Sequence, residues 1–282
     1  MYLGLDFGTS GARACVINDD RSTSWEQRVN YPDPTVQTPH DWRTALRALL
    51  TALPKRLATS LQGIAIDGTS GSVLLCDTEL EPISPALLYN DVRAQQQASQ
   101  LEAIAPEFHV VCTATSGLAK FLWLTQQDDS ETAALRLSSG QAYFLHQSDW
   151  LTALLSGKPG ISDYHNALKT GYDVERLRWP DWAMALPHSH LLPQVLAPGA
   201  IIGKIQPDIA AHFGINPECN LHAGTTDSTA AFIATGIHEV GIGVTTLGTT
   251  LVLKQLCGKR IEAGEYGVYS HRYGNQWLVG GA

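Results

Sequence analysis

The stretch Leu3-Gly4-Leu5-Asp6-Phe7-Gly8-Thr9-Ser10-Gly11-Ala12-Arg13 constrains this chain more than any other. It reads as a short strand, a Gly/Thr/Ser turn, and a second strand through Ala14-Cys15-Val16-Ile17. Glycines let backbone N–H groups approach an anion closely, and the Thr and Ser hydroxyls add donors. Asp6 closes the first strand, where a carboxylate can hold Mg²⁺ directly or through water. The turn therefore reads as a phosphate and metal hairpin, although the same residues also suit an ordinary turn. It is neither a GxxxxGK[ST] loop nor a GxGxxG turn opening a helix.

A second copy strengthens the reading. Val240-Gly241-Ile242-Gly243-Val244-Thr245-Thr246-Leu247-Gly248-Thr249-Thr250-Leu251-Val252-Leu253 repeats the strand, Gly-Thr-Thr turn and strand. Asp6–Ser10 aligns with Thr246–Thr250 without a gap. Two such hairpins, far apart in the chain, point to two related lobes facing one nucleotide.

The elements between them support this. A third strand is expected over Ser22–Val29, and a helix from about Thr38 to Leu57. Thr38 suits the N-cap, Pro39 the first turn, and Trp42, Leu46, Leu49, Leu50 and Leu53 recur at helical spacing. A buried strand, Gly63–Asp67, follows. Strands before any helix argue against a doubly wound dinucleotide-binding domain. Helical patterns then cover Val92–Ile104, Leu118–Gln126, Ser130–Leu137 and Gln147–Leu155, and Trp277–Gly280 reads as a strand running into a glycine turn.

Hydrophobic residues make up 44% of the chain and charged residues 16%, the profile of a globular protein. A net charge of −8 with no basic stripe argues against a nucleic-acid partner. The five cysteines are scattered with no CxxC spacing, so neither a zinc site nor a disulfide framework is indicated. No apolar run approaches the roughly 20 residues needed to span a bilayer. A soluble, cytoplasmic (or plastid-like) protein with no membrane partner is expected.

These hairpins, together with Ala223-Gly224-Thr225-Thr226-Asp227 and Leu88-Tyr89-Asn90-Asp91-Val92-Arg93, resemble those of FGGY-type carbohydrate kinases. The resemblance is nearest to the small xylulokinase-like or D-ribulose kinase group of cyanobacteria and plants. It implies an α/β chain: a ribonuclease-H-like lobe of the actin and sugar-kinase superfamily with helical insertions, then the start of a second similar lobe. The sugar-binding lobe would occupy 1–235 and the beginning of an ATP-binding lobe 236–282, with the rest of that lobe missing.

The resemblance also assigns roles. Asp227 would be the catalytic base that accepts the proton of the attacking sugar hydroxyl; a plain helix N-cap is the alternative reading of that residue. Asp6 would bind Mg²⁺. Gly8, Thr9 and Ser10 would meet the phosphates of ATP from one side, and Gly248, Thr249 and Thr250 from the other. Asp6, Ser10, Thr69, Ser70, Asp91, Arg93 and Asp227 would surround the sugar. Asp91 and Arg93 could instead form a structural ion pair, and Asp67-Gly68 a hairpin turn. Lys120 beside Trp123 reads as a snorkelling lysine, and His146 and His165 as packing or surface residues. Xylulokinases carry a Met-His pair where Asp67–Ser72 has small hydroxyl residues. That departure turns the expectation toward D-ribulose ahead of D-xylulose. The expected activity is ATP-dependent phosphorylation of a ketopentose; the alternative is a non-catalytic sugar-binding module or an inactive fragment. Oligomeric state is not legible.

Overall fold

The computed structural model describes residues 1–126, 137–247 and 251–281. Period-two alternation builds the first strands. β1 (Tyr2–Phe7) buries Leu3, Leu5 and Phe7, and β2 (Gly11–Ile17) buries Ala12, Ala14 and Val16. They pair antiparallel, and the more exposed β3 (Thr23–Asn30) continues on the far side of β2.

Helix α1 (Pro39–Ala52) follows. The Thr38 hydroxyl accepts the Asp41 N–H, and the Asp41 carboxylate accepts the Thr38 N–H, so two end donors are satisfied together. Trp42, Ala45, Leu46, Leu49 and Leu50 form its buried stripe. The helix stops short of Leu57 because Pro54 has no N–H to offer and clashes with the preceding turn. A separate short helix, α2 (Lys55–Ala58), restarts after it.

β4 (Gly63–Gly68) runs parallel to β1, with Asp67 in register beside Asp6. Asp67-Gly68 is not a hairpin. β5 (Val73–Cys76) leaves this sheet and pairs with β6 (Tyr143–His146). Between β5 and β6 lie α3 (Gln95–Glu102) and α4 (Gly117–Gln126). The helix expected over Ser130–Leu137 falls almost wholly outside the described residues. α5 (Gln147–Ser156), β7 (Ile161–Asp163) and α6 (Tyr164–Leu168) come next. The chain continues through α7 (Asp181–Met184), β8 (Gln194–Leu196), β9 (Ile201–Lys204) and α8 (Pro207–Phe213).

β10 (Asn220–Thr226) then returns parallel to β4 and completes a six-stranded sheet in the order β3-β2-β1-β4-β10-β9. Gly224 permits that return, because a Cβ there would overlap the Ile66 carbonyl oxygen. Three antiparallel strands, a crossing helix and two parallel strands make the ribonuclease-H-like arrangement, with the helical insertions carried between β4 and β10. One core packs the sheet through Leu5, Trp42, Ile66, Trp150 and Leu221. Another joins the insertion through Val73, Leu101, Phe121 and Phe144.

After α9 (Asp227–Ala234) comes a separate antiparallel sheet, ordered β11-β12-β14-β13. It is built from β11 (Gly243–Leu247), β12 (Leu251–Cys257), β13 (Tyr269–Tyr273) and β14 (Gln276–Gly281). Its Tyr269 and Trp277 pack on Ala167, Leu168, Tyr172 and Val174, so the second sheet docks on α6 and the loop after it.

Candidate active site

Three strand ends converge. Asp6 and Asp67 are register partners on adjacent parallel strands, so both side chains leave the same face of the sheet. The next strand, β10, ends at Thr226 beside Gly68, and Asp227 opens α9 directly after it. Clustering has an electrostatic consequence. Burial, reinforced by the charges of Asp6 and Asp227 and a hydrogen bond to Asp6, pushes the Asp67 carboxyl well above the ordinary carboxylate range. Its Oδ1 is buried without a hydrogen-bond partner. Burial also raises Asp227, with Asp6 adding to the effect, while the Ser228 N–H, Lys254 and Lys169 oppose it. The Ser228 N–H donates to Asp227 Oδ1 at 2.6 Å. Asp227 is the first helical residue rather than the cap, which is Thr226.

The turn after β4 is anchored from behind. Gln147 Oε1 accepts both the Thr69 N–H and the Thr69 hydroxyl at 2.9 Å. The Ser72 hydroxyl lies 2.6 Å from that of Thr69 and accepts the Tyr89 N–H at 2.9 Å. Ser70 Oγ is buried with no partner. Lys120 is not a snorkelling residue: it is fully buried, and its ammonium donates to the Gly71 carbonyl at 2.7 Å and the Leu88 carbonyl at 2.6 Å. The reason is local. The Gly71 carbonyl (φ 81°) sits in a turn and the Leu88 carbonyl already accepts the Asp91 N–H at 2.9 Å, and one buried cation ties both together. Burial lowers Lys120 to about 7.

A cavity of about 250 Å³ opens in front of these groups. It is lined by Thr9, Thr69, Ser70, Tyr89, Asp227 and Ser228, by Lys169, and by Val252, Lys254, Tyr269 and His271 of the second sheet. A larger cavity of about 630 Å³ between residues 106–110 and 260–265 contains none of the three carboxylates.

The expected site residues divide accordingly. Asp6, Thr9, Thr69, Ser70 and Asp227 are brought together. Gly8 closes the first hairpin through its N–H to the Gly11 carbonyl at 3.1 Å, and the Thr9 carbonyl is held by Gln37 Nε2 at 2.7 Å. Ser10 is exposed, with Arg28 at 3.4 Å from its hydroxyl. Gly248, Thr249 and Thr250 lie outside the described residues. Asp91 and Arg93 turn to each other in a two-point ion pair at 2.7 and 3.0 Å, with the guanidinium 5.2 Å from the centre of the Trp123 ring. They brace the loop that carries Tyr89 and do not line the cavity. His146 and His165 are buried packing residues.

Reading the sequence missed the chemistry of Asp67, Lys169, Lys254 and His271. Asp67 carried a usable signal, since an Asp at the end of the return strand repeats the position of Asp6. Lys254 carried little, because Leu251–Leu256 offers apolar residues in either phase of a strand.

The same architecture recurs in known proteins. Residues 1–234 match the FGGY family of carbohydrate kinases, N-terminal domain. The xylulose kinase of Lactococcus lactis is 24% identical over 268 residues, covering 89% of this chain and 52% of that protein. That of Escherichia coli is 25% identical over 297 residues, covering 98% and 59%. The structure of a xyloylose kinase from Brucella ovis superposes with a TM-score of 0.82 at 26% identity, over 99% of this chain and 60% of that one. The chain thus spans between half and three fifths of the length of the proteins it resembles. With the matched domain running from β1 through α9, and so through every carboxylate of the cleft, the chain belongs to the FGGY family of carbohydrate kinases.

Proposed function

We propose that this chain carries the sugar-binding and catalytic lobe of an ATP-dependent ketose kinase, with D-ribulose as acceptor ahead of D-xylulose. Asp6, Asp67 and Asp227 gather at three neighbouring strand ends, and Asp227 lines a cavity beside the hydroxyls of Thr9, Thr69, Ser70 and Tyr89; this carries the reading. The xylulose kinases among its relatives favour a ketopentose. The small residues of Asp67–Ser72, standing where xylulokinases have Met-His, favour D-ribulose.

Asp227 is the base. It accepts the proton of the sugar hydroxyl as that oxygen attacks, and its raised affinity for a proton brings it nearer the working pH. Thr69, Ser70 and Tyr89, which line the same cavity, orient the sugar. The Asp91–Arg93 pair holds the Tyr89 loop in place. Mg²⁺–ATP, when bound, supplies the phosphoryl group and neutralises its charge.

The residues present fit that group. The unpartnered Asp67 Oδ1 and Ser70 Oγ, and a carboxyl whose proton affinity is raised by burial and by the neighbouring carboxylates, suit a cleft that gains a cation. Among the described residues no group of three His, Cys, Asp or Glu side chains is arranged to hold a metal ion by itself. Asp6 would therefore hold Mg²⁺ with water and phosphate oxygens completing its shell. Gly8, Thr9 and Ser10 would meet the phosphates, with Gly248, Thr249 and Thr250 facing them. We assign 1–235 to the sugar lobe and 236–282 to the start of the nucleotide lobe. The change to a separate sheet after α9 supports that division.

The share of each relative that the chain spans favours a second reading, a sugar-binding module without turnover. A coupled ADP-release assay with Mg²⁺–ATP against D-ribulose, D-xylulose, L-ribulose and glycerol separates the two. Ketose-dependent ADP release that disappears in Asp227→Ala supports the kinase. Ketose binding without ADP release assigns the module, and ADP release indifferent to both sugar and Asp227 contradicts both.

A further inference from the structure

Two lysines line the cleft without a carboxylate within ion-pairing distance among the described residues. Lys254 lies on β12, where the alternation that exposes Leu251, Leu253 and Gln255 turns it inward. Only 6% of it is exposed, and its ammonium donates to one neutral oxygen, Thr229 Oγ1, at 2.9 Å. Lys169 follows α6, with its ammonium 5.7 Å from the centre of the Tyr269 ring. Among the described residues neither lysine forms an ion pair. Both line the cavity that Asp227, Ser228 and Thr9 line.

Burying an ammonium without a counter-ion is costly. Lys254 shows it: burial lowers it to about 7, with Lys169 adding to the effect and Asp227 opposing it. An oxyanion held by both ammonium groups would relieve this through charge-assisted hydrogen bonds. Position decides which oxyanion. Thr229, the partner of Lys254, lies in the first turn of the helix that Asp227 opens. That ammonium therefore stands near the base. The hydroxyl that gives its proton to Asp227 must face phosphorus, so cations beside Asp227 are beside the phosphoryl group as well.

We infer that Lys254 and Lys169 form the seat for the oxygens of the phosphoryl group in transfer. This rests on the kinase reading above. In the step, the hydroxyl proton passes to Asp227. The sugar O–P bond forms while the P–O bond to the nucleotide's leaving oxygen breaks, and that oxygen keeps the electron pair. The lysines hold the charge on the non-bridging oxygens and exchange neither protons nor electrons.

The test uses the 282-residue chain. Calorimetric titrations with tripolyphosphate, without Mg²⁺, are compared with D-gluconate and D-ribulose for the wild type, Lys254→Met and Lys169→Met. Tripolyphosphate affinity is expected to fall about tenfold or more in each variant while D-ribulose affinity stays within about twofold. In parallel, ¹³Cε resonances of Lys254 and Lys169 in the wild type are expected to move with tripolyphosphate, which keeps the test open if a variant does not fold. Unmoved lysine resonances, or unchanged tripolyphosphate affinity in both folded variants, overturn the inference. Preference for D-gluconate overturns it in favour of an acidic acceptor. Tripolyphosphate binding without D-ribulose binding keeps the lysine seat and sinks the ketose reading, and the reverse pattern does the opposite.

Discussion

At the scale of single residues, the cleft is organised by carboxyls that would rather keep a proton. Asp67 binds its proton more tightly folded than unfolded, so its stabilising contribution is full at low pH and is lost as pH rises through the raised value. Asp227 behaves in the same sense. A divalent cation displaces those protons, so Mg²⁺ should raise the melting temperature more at about pH 8 than at about pH 5; an equal or smaller effect at the higher pH contradicts a cation among these groups. His165 works in the opposite direction. Its Nδ1 lies 2.7 Å from Thr225 Oγ1 and its Nε2 2.6 Å from the Arg272 carbonyl, so a neutral ring, accepting from the hydroxyl and donating to the carbonyl, joins the first sheet to the second. Burial lowers it to about 4. Its contribution is therefore present above the ordinary histidine value of about 6.5 and disappears as pH falls to about 4. His165→Gln should flatten the acid side of a plot of urea midpoint against pH. His109, also lowered to about 4 by burial, leaves a residual slope, and an unaltered slope in the variant refutes the bridging role.

Between elements, the important joint is the one Lys120 makes. One helix residue holds carbonyls at Gly71 and Leu88, so the Thr69–Ser70 turn and the Tyr89 loop move together. Lys120→Met should weaken ketose binding about tenfold and speed amide exchange in 68–72 and 88–93, since the Gly71 carbonyl is left unpaired and the link to the Leu88 carbonyl is lost. Exchange confined to its wild-type rate would show that the loops hold themselves. This joint was not legible beforehand, because a lysine in an apolar helical run reads as a solvent-reaching side chain until distant loops are seen to cover it. β1, β2, β4 and the α1 cap were legible, since alternation and capping are local. Pro54 shows the limit of periodicity: the apolar spacing runs on to Leu57 while the backbone cannot. The Asp67-Gly68 pair failed as a hairpin signal for a related reason. Strand pairing is decided by the whole sheet, and β1 and β10 occupy the two edges of β4, leaving none for a hairpin partner.

Over the whole molecule, the cleft lies where the first sheet's parallel strand ends meet the second sheet, and each contributes one sign of charge. The first brings Asp6, Asp67 and Asp227, and the second brings Lys254. Asp6 and Asp227 could be found in the sequence because each sits at a strand or helix boundary with a characteristic turn. Their opposition to Lys254 could not, because it depends on how the second sheet docks through Tyr269 and Trp277. The second sheet also presents Leu247, Leu251 and Leu253 to solvent, at 83%, 59% and 57% exposure, so its outer face is apolar where the first lobe's core is covered. The central claim is that the three-carboxylate cleft is a ketose site with Asp227 at the reacting hydroxyl. Calorimetric titration of the chain with D-ribulose and D-xylulose, repeated on Asp227→Ala, tests it most directly. The account predicts saturable ketose binding, tighter for D-ribulose, that weakens by at least about tenfold in the variant. Failure of the wild type to bind either ketose, or equal binding by Asp227→Ala, would contradict it.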